Sequence, residues 1–152
     1  MTRHIGPRSS RAAFACAAAA FMLAGCAGSF FGKDARDFIA VEDISQVPES
    51  DAFTMRDVRI ERDSLKFTAS YGGGCREHAF SLYAAKAKDA ANTGLLYVQH
   101  NANTDLCRAM IEGDSVAFDL AGLRSALDLK SGAALVFPPG SPGADSGVTL
   151  SY

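Results

Sequence analysis

The sequence has no apolar run long enough to cross a bilayer. Its longest, residues 12–23, has 12 members, where a spanning helix needs about 20. Excess positive charge is also missing: 15 Lys and Arg stand against 17 Asp and Glu. No basic patch of the kind a nucleic-acid partner would demand is visible. No G-x-S-x-G elbow occurs to carry a serine nucleophile. The one triple glycine, Gly72-Gly73-Gly74, is followed by Cys75 rather than by lysine and a hydroxyl residue, so it is no phosphate-cradling loop. Internal repeats are absent too. These gaps argue against a nucleic-acid binder and against the commonest nucleotide and hydrolase chemistries, and the expectation is a protein that is not an enzyme.

What is present begins at the N-terminus. Arg3, Arg8 and Arg11 form a basic segment without an acidic residue, and the apolar run 12–23 follows it. Small residues then lead into a cysteine, Leu23-Ala24-Gly25-Cys26. A basic, then apolar, then small-residue order is that of an export signal. The tetrapeptide resembles the lipobox of bacterial lipoproteins. That resemblance implies diacylglyceryl transfer to the Cys26 thiol, cleavage after Gly25 and acylation of the freed amine, a palmitate-type modification. Each buried methylene of such chains contributes about 0.8 kcal/mol, so several chains hold a protein stably where one is marginal. Cys16 lies inside the apolar run and would be discarded with residues 1–25. Position two of the mature chain is Ala27 rather than aspartate, which in a Gram-negative host favours the outer membrane, facing the periplasm.

Removing residues 1–25 leaves 127 of the 152 residues, carrying 12 basic against 17 acidic side chains and a net charge near −5. That length fits one domain plus a tether. Residues 26–52 read as the lipidated cysteine and its tether, with Val47-Pro48-Glu49-Ser50-Asp51 as a breaker cluster. Phe38-Ile39-Ala40-Val41 is apolar enough to add an edge strand, so this boundary is soft.

Residues 53–152 read as strands. Leu65, Phe67, Ala69 and Tyr71 alternate with Ser64, Lys66, Thr68 and Ser70, and His78, Phe80, Leu82 and Ala84 alternate again. A period of two places each set on one face, as in a half-buried strand. Further apolar segments follow at 95–100, 106–111, 116–120, 133–137 and 148–152. Gly113-Asp114 reads as a turn, and residues 121–129 as one or two helical turns. About seven short strands and one short helix at this spacing predict an all-β, antiparallel β-sandwich. Tyr71, Tyr83 and Tyr97 stand either as an aromatic contact face or as cross-strand packing.

One constellation could carry chemistry. Cys75-x2-His78 and His100-x6-Cys107 place two cysteines and two histidines within 33 residues. In an exported protein the two thiols left after lipidation can pair as a disulfide, Cys75–Cys107. The same four residues match the Cys2His2 inventory of tetrahedral zinc, with His78 and His100 as metal ligands, although six residues between histidine and cysteine is a loose spacing. With the thiols bridged, the histidines would need a carboxylate such as Asp105 or Glu77. Asn101-x-Asn103-x-Asp105 opens like a calcium loop but lacks the glycine and distant glutamate that complete one.

The segments 71–82 and 100–107, with Phe118-Asp119-Leu120, resemble small uncharacterised bacterial lipoproteins and, more loosely, the C-terminal domain of NigD-like proteins. The likeness covers residues 53–152. It implies a β-sandwich with a paired cysteine bridge and no catalytic role. The N-terminal barrel domain of NigD-like proteins has no room in this chain. The expected function is a lipid-anchored envelope module that binds a partner or supports structure, with zinc binding as the alternative.

Overall fold

Period-two alternation of apolar and polar side chains builds most of the sheet. The computed structural model describes residues 35–144 and 148–152. The expected signal segment and the Cys26 lipidation site lie outside the described residues. Among the described residues there are eight strands: β1 Arg36–Ala40, β2 Phe53–Glu61, β3 Ser64–Gly72, β4 Ala79–Lys86, β5 Thr93–Asn101, β6 Met110–Asp119, β7 Ala134–Phe137 and β8 Val148–Ser151. A single α-turn, α1 Leu123–Ala126, lies between β6 and β7.

The alternation is obeyed closely in β3 and β5. Leu65, Phe67, Ala69 and Tyr71 are buried on β3, as are Leu96, Val98 and His100 on β5, while the residues between them are half-exposed. Phe118 of β6, Leu120, Leu123, Leu135 and Phe137 complete a core in which each is fully buried. Burying side chains of this size contributes roughly 1.5–3 kcal/mol apiece, set against the chain entropy lost on folding.

The sandwich expected from the strand spacing is corrected. The strands form one eight-stranded sheet in the order β2-β3-β6-β1-β4-β5-β7-β8. Its two edges approach each other: Thr54 of β2 bridges to Gly143, in the loop before β8, and the Met55 amide donates to the Gly143 carbonyl at 2.7 Å. A Cβ on Gly143 would lie 2.5 Å from the Phe53 ring, so only glycine permits this approach. The sheet therefore rolls into a nearly closed barrel. Nor is it purely antiparallel, since β1 runs parallel to both β4 and β6, and β5 parallel to β7.

The tether expected through residue 52 is also corrected from residue 36 onward. β1 is not an edge strand but sits between β6 and β4, with Phe38 packed against the core. Beyond it, the Val41 amide donates to the Ala84 carbonyl, and residues 44–46 form a 3-10 turn against β4 and β5. Ser50 and Asp51 then bind the end of β5: the Ser50 hydroxyl accepts from the His100 amide and the Asp51 carboxylate from that of Ala102. The polar residues read as tether instead satisfy backbone groups that would otherwise be left without partners.

The pairing fixes which loops share an end. β3 and β5 finish, and β4 and β6 begin, at the same end of the barrel, while β1 starts opposite Phe118, near the finish of β6. The loops 73–78 and 102–109 meet at that shared end, and they carry every residue of the Cys/His constellation except His100, which lies just inside.

Candidate functional site

Cys75 and Cys107 stand at disulfide distance, with Cα atoms 6.0 Å apart, tying loop 73–78 to loop 102–109. Between these loops lies the side chain of Asp105, only 1% exposed. Asn103 and Thr104 adopt left-handed backbone (φ 51° and 54°), which turns the chain so that Asp105 points back into the opposite loop. Such φ values are uncommon outside glycine, and more so for a β-branched residue.

The carboxylate is saturated by donors. Its Oδ2 accepts the backbone N–H groups of Gly74 (2.8 Å), Cys75 (2.8 Å) and Arg76 (2.9 Å), and Oδ1 accepts that of Cys107 (2.9 Å). Both cysteines thus hang on one carboxylate through their own amides. The Cys107 amide, then those of Arg76 and Cys75 with His78, hold the Asp105 carboxyl well below the usual carboxylate range, against the opposing effect of burial. The Arg76 guanidinium closes the loop from outside, donating to the Asn103 carbonyl and the Thr104 hydroxyl.

A chain of imidazoles runs inward from Asp105. His78 Nε2 is 3.2 Å from Asp105 Oδ2, and His78 Nδ1 is 2.8 Å from His100 Nε2. A carboxylate only accepts, so the His78 proton resides on Nε2. The 2.8 Å contact joins His78 Nδ1 to His100 Nε2, one ring donating to the other. His100 Nδ1 is, among the described residues, the buried side-chain polar atom that reaches no hydrogen-bond partner. Burial pushes the His100 pKa down, and the neighbouring His78 adds to this, while backbone groups of Asp51 and Ala52 pull the other way.

The imidazoles are packed as aromatic rings. His78 stacks on Tyr71 and His100 on Phe80, each with centroids 4.6 Å apart, and Phe53 meets Phe80 edge-on at 5.4 Å. Together they plug this end of the core. The Tyr71 hydroxyl donates to Asp114 at 2.9 Å, and burial with that carboxylate pushes its pKa up to about 12. Outside the plug, Arg36, Glu77, His78, Asn101 and Asn103 line a groove of about 480 Å³.

The structure thus brings Cys75, His78, His100, Asp105 and Cys107 to one place, but not in the arrangement of a four-ligand metal centre. The sulfurs face each other and the histidine nitrogens are bonded to one another. Among the described residues, the atoms that could share one ion are those of Cys75, Asp105 and Cys107, with neither histidine. Glu77 is exposed beside the groove. Asn101 and Asn103 do not join Asp105 around a cavity: the Asn101 side chain accepts the Asn103 amide at 2.8 Å, closing a local turn. Of the three tyrosines, Tyr71 is buried, and Tyr83 and Tyr97 are cross-strand partners on β4 and β5.

The amide cage around Asp105 was not anticipated. The available signal was an aspartate two residues before Cys107, close to asparagine and threonine, a composition in which side chains commonly bond nearby backbone.

No family model matches the sequence, and no curated protein matches it. Among solved structures, the chain is similar to a protein of unknown function, DUF1344, from Bacteroides vulgatus ATCC 8482, with a TM-score of 0.51 and 16% identity. The match covers 78% of this chain and 56% of that one, so the chain spans little more than half the length of its structural neighbour. At this identity the likeness concerns the fold alone.

Proposed function

We propose that this chain is a bacterial lipoprotein, acylated at Cys26 and held in the cell envelope, whose barrel is a non-enzymatic binding or structural module. The anchor rests on the basic, apolar and Leu23-Ala24-Gly25-Cys26 segments. The module reading rests on one geometric observation: the polar atoms of the cluster are directed at their own loops. Asp105 is saturated by four amides and His78, and both nitrogens of His78 have partners inside the protein. A general base must be able to reach the proton of a substrate, and a metal ligand must offer a free lone pair. On this reading Asp105, His78 and the Cys75–Cys107 bridge are a staple that presents two loops rigidly, and recognition belongs to the barrel surface.

The test is metabolic labelling of the full chain with a clickable palmitate analogue, followed by membrane fractionation. The label should follow the protein into the outer-membrane fraction and vanish in Cys26→Ser. A soluble, unlabelled wild-type protein would sink the anchoring reading. Full retention of label in Cys26→Ser would move the lipid elsewhere.

A further inference from the structure

The Cys75–Cys107 bridge lies open to attack. Cys75 is exposed and Cys107 half-buried, so a small thiol reaches the bridge from solvent. Exchange consumes one thiolate and makes another. The incoming thiolate bonds to one sulfur, the S–S bond breaks, and its electron pair leaves on the other sulfur. Attack at the exposed Cys75 Sγ yields a mixed disulfide there and puts the departing negative charge on Cys107 Sγ.

The surroundings of the sulfurs oppose that charge. Reactive cysteines sit beside cations or at helix N-termini, where N–H groups stabilise the thiolate. Here the amides of Cys75, Arg76 and Cys107 are directed at the Asp105 carboxylate instead. A carboxylate oxygen of Asp105 and the two Sγ atoms lie within 4.8 Å of one another. The Asp105 side chain is 1% exposed, so little water screens it, and its depressed pKa keeps it ionised at neutral pH. The Arg76 guanidinium is turned to the Asn103 carbonyl and the Thr104 hydroxyl. Arg108, next to Cys107 in the chain, is exposed to water.

We propose that Asp105 guards the bridge: its carboxylate disfavours both the approaching and the departing thiolate, so Cys75 and Cys107 exchange slowly although a thiol can reach them. This goes beyond the loop-staple reading and rests on the bridge that reading requires. The guard acts on the rate of exchange, so an excess of reductant still opens the bridge given time. Persistence among other thiols suits a bridge that holds two loops in one arrangement.

The test compares bridged full-length protein with bridged Asp105→Asn, each checked by intact mass. Both are exposed to cysteamine, 2-mercaptoethanol and 2-mercaptoethanesulfonate, and the rate per thiolate is read on the peptide carrying Cys107. All three thiols should open Asp105→Asn faster, and the ratio of the cysteamine rate to the mercaptoethanesulfonate rate should fall roughly threefold from wild type to variant. Loosening of the loops alone would raise the three rates by one common factor. Unchanged ratios therefore overturn the proposal. A second measurement uses Cys75→Ser, which leaves the Cys107 thiol beside Asp105. Its alkylation by neutral iodoacetamide should reach half its plateau rate above the ordinary thiol value of about 8.5, and addition of Asp105→Asn should bring the half-point back down. A half-point at or below that value, in a chain that keeps the circular dichroism of the folded protein, also overturns the guard. Wild-type cysteines that alkylate without reductant would remove the bridge and the staple with it, whereas a bridged protein that exchanges rapidly with anionic thiols removes the guard alone.

Discussion

His78 Nε2 and Asp105 Oδ2 are 3.2 Å apart at the junction of two loops, and the same oxygen also gathers three backbone amides. This pair joins the loop staple to the aromatic plug of the barrel. Replacing Asp105 with Asn exchanges one acceptor oxygen for an NH2 group that faces N–H donors, which leaves buried donors without partners. Asp105→Asn should lower the denaturation midpoint clearly more than Asp89→Asn, a change at an exposed turn. Because the folded carboxyl pKa is depressed, its contribution is present above the unfolded value near 4 and is lost as pH falls through the folded one. Denaturation between pH 7 and pH 3 should therefore show a shallower acid-side loss in Asp105→Asn than in wild type. Parallel curves would contradict the cage.

His100 gives a second pH signature, in a different window. Its folded pKa lies below the ordinary 6.5, so the unfolded chain takes up the proton more readily. Stability from the neutral ring is complete above about pH 6.5 and is lost as pH falls through the depressed folded value. An NMR titration of the His100 imidazole in the folded protein should give a midpoint below 6.5. A midpoint above it would mean that the Nδ1 position has a strong acceptor.

Gly73 stands beneath the same contact. Its φ is 129°, and a Cβ there would lie 2.5 Å from His78 Nε2 and 3.0 Å from Asp105 Oδ2. Gly73→Ala combines backbone strain with displacement of a buried hydrogen bond, and should cost roughly 2–3 kcal/mol. Gly132→Ala shares the positive φ but meets open space, and it should cost less. Equal losses in the two variants, measured by chemical denaturation, would mean that strain alone matters at position 73.

The Cys75–Cys107 bridge closes a loop of sequence separation 32. The chain-entropy model gives such a closure about 4 kcal/mol. The Cys75→Ala, Cys107→Ala double variant should lose stability on that scale, and reductant should destabilise wild type but leave the variant unchanged. Insensitivity of both proteins to reductant would show that no bridge was present.

Much of the barrel wall was legible in the sequence, because β3 and most of β4 carry period-two patterns whose apolar face is the core. Strand order was not legible. β3 and β4 follow one another in sequence yet are separated in the sheet by β6 and β1, a non-local pairing that alternation cannot encode. β1 was read as an edge strand over 38–41 within a tether, whereas it starts at Arg36, pairs with both β6 and β4 and packs Phe38 against the core. Gly113-Asp114 read as a turn, whereas Gly113, at φ 79°, lies inside β6, where the pairing with β3 shifts register near Asp114. Glycine marks turns and bulges alike, and its neighbours do not distinguish them. The fold brings Cys75 to Cys107 and His78 to His100 in one neighbourhood. The direction of their lone pairs depended on Asp105, whose cage is formed by loops far apart in sequence.

The most direct measurement is an intact mass of the full-length protein expressed in a Gram-negative host and extracted from its envelope. It is taken after denaturation with a thiol-alkylating reagent and no reductant. The expected species is a chain beginning at Cys26, heavier by its acyl groups, with no alkyl adduct because Cys75 and Cys107 are bridged. A chain that keeps residues 1–25, or one cleaved but without lipid, would contradict the anchor. Two alkyl adducts on an otherwise lipidated chain would contradict the staple and return the Cys/His cluster to consideration as a binding site.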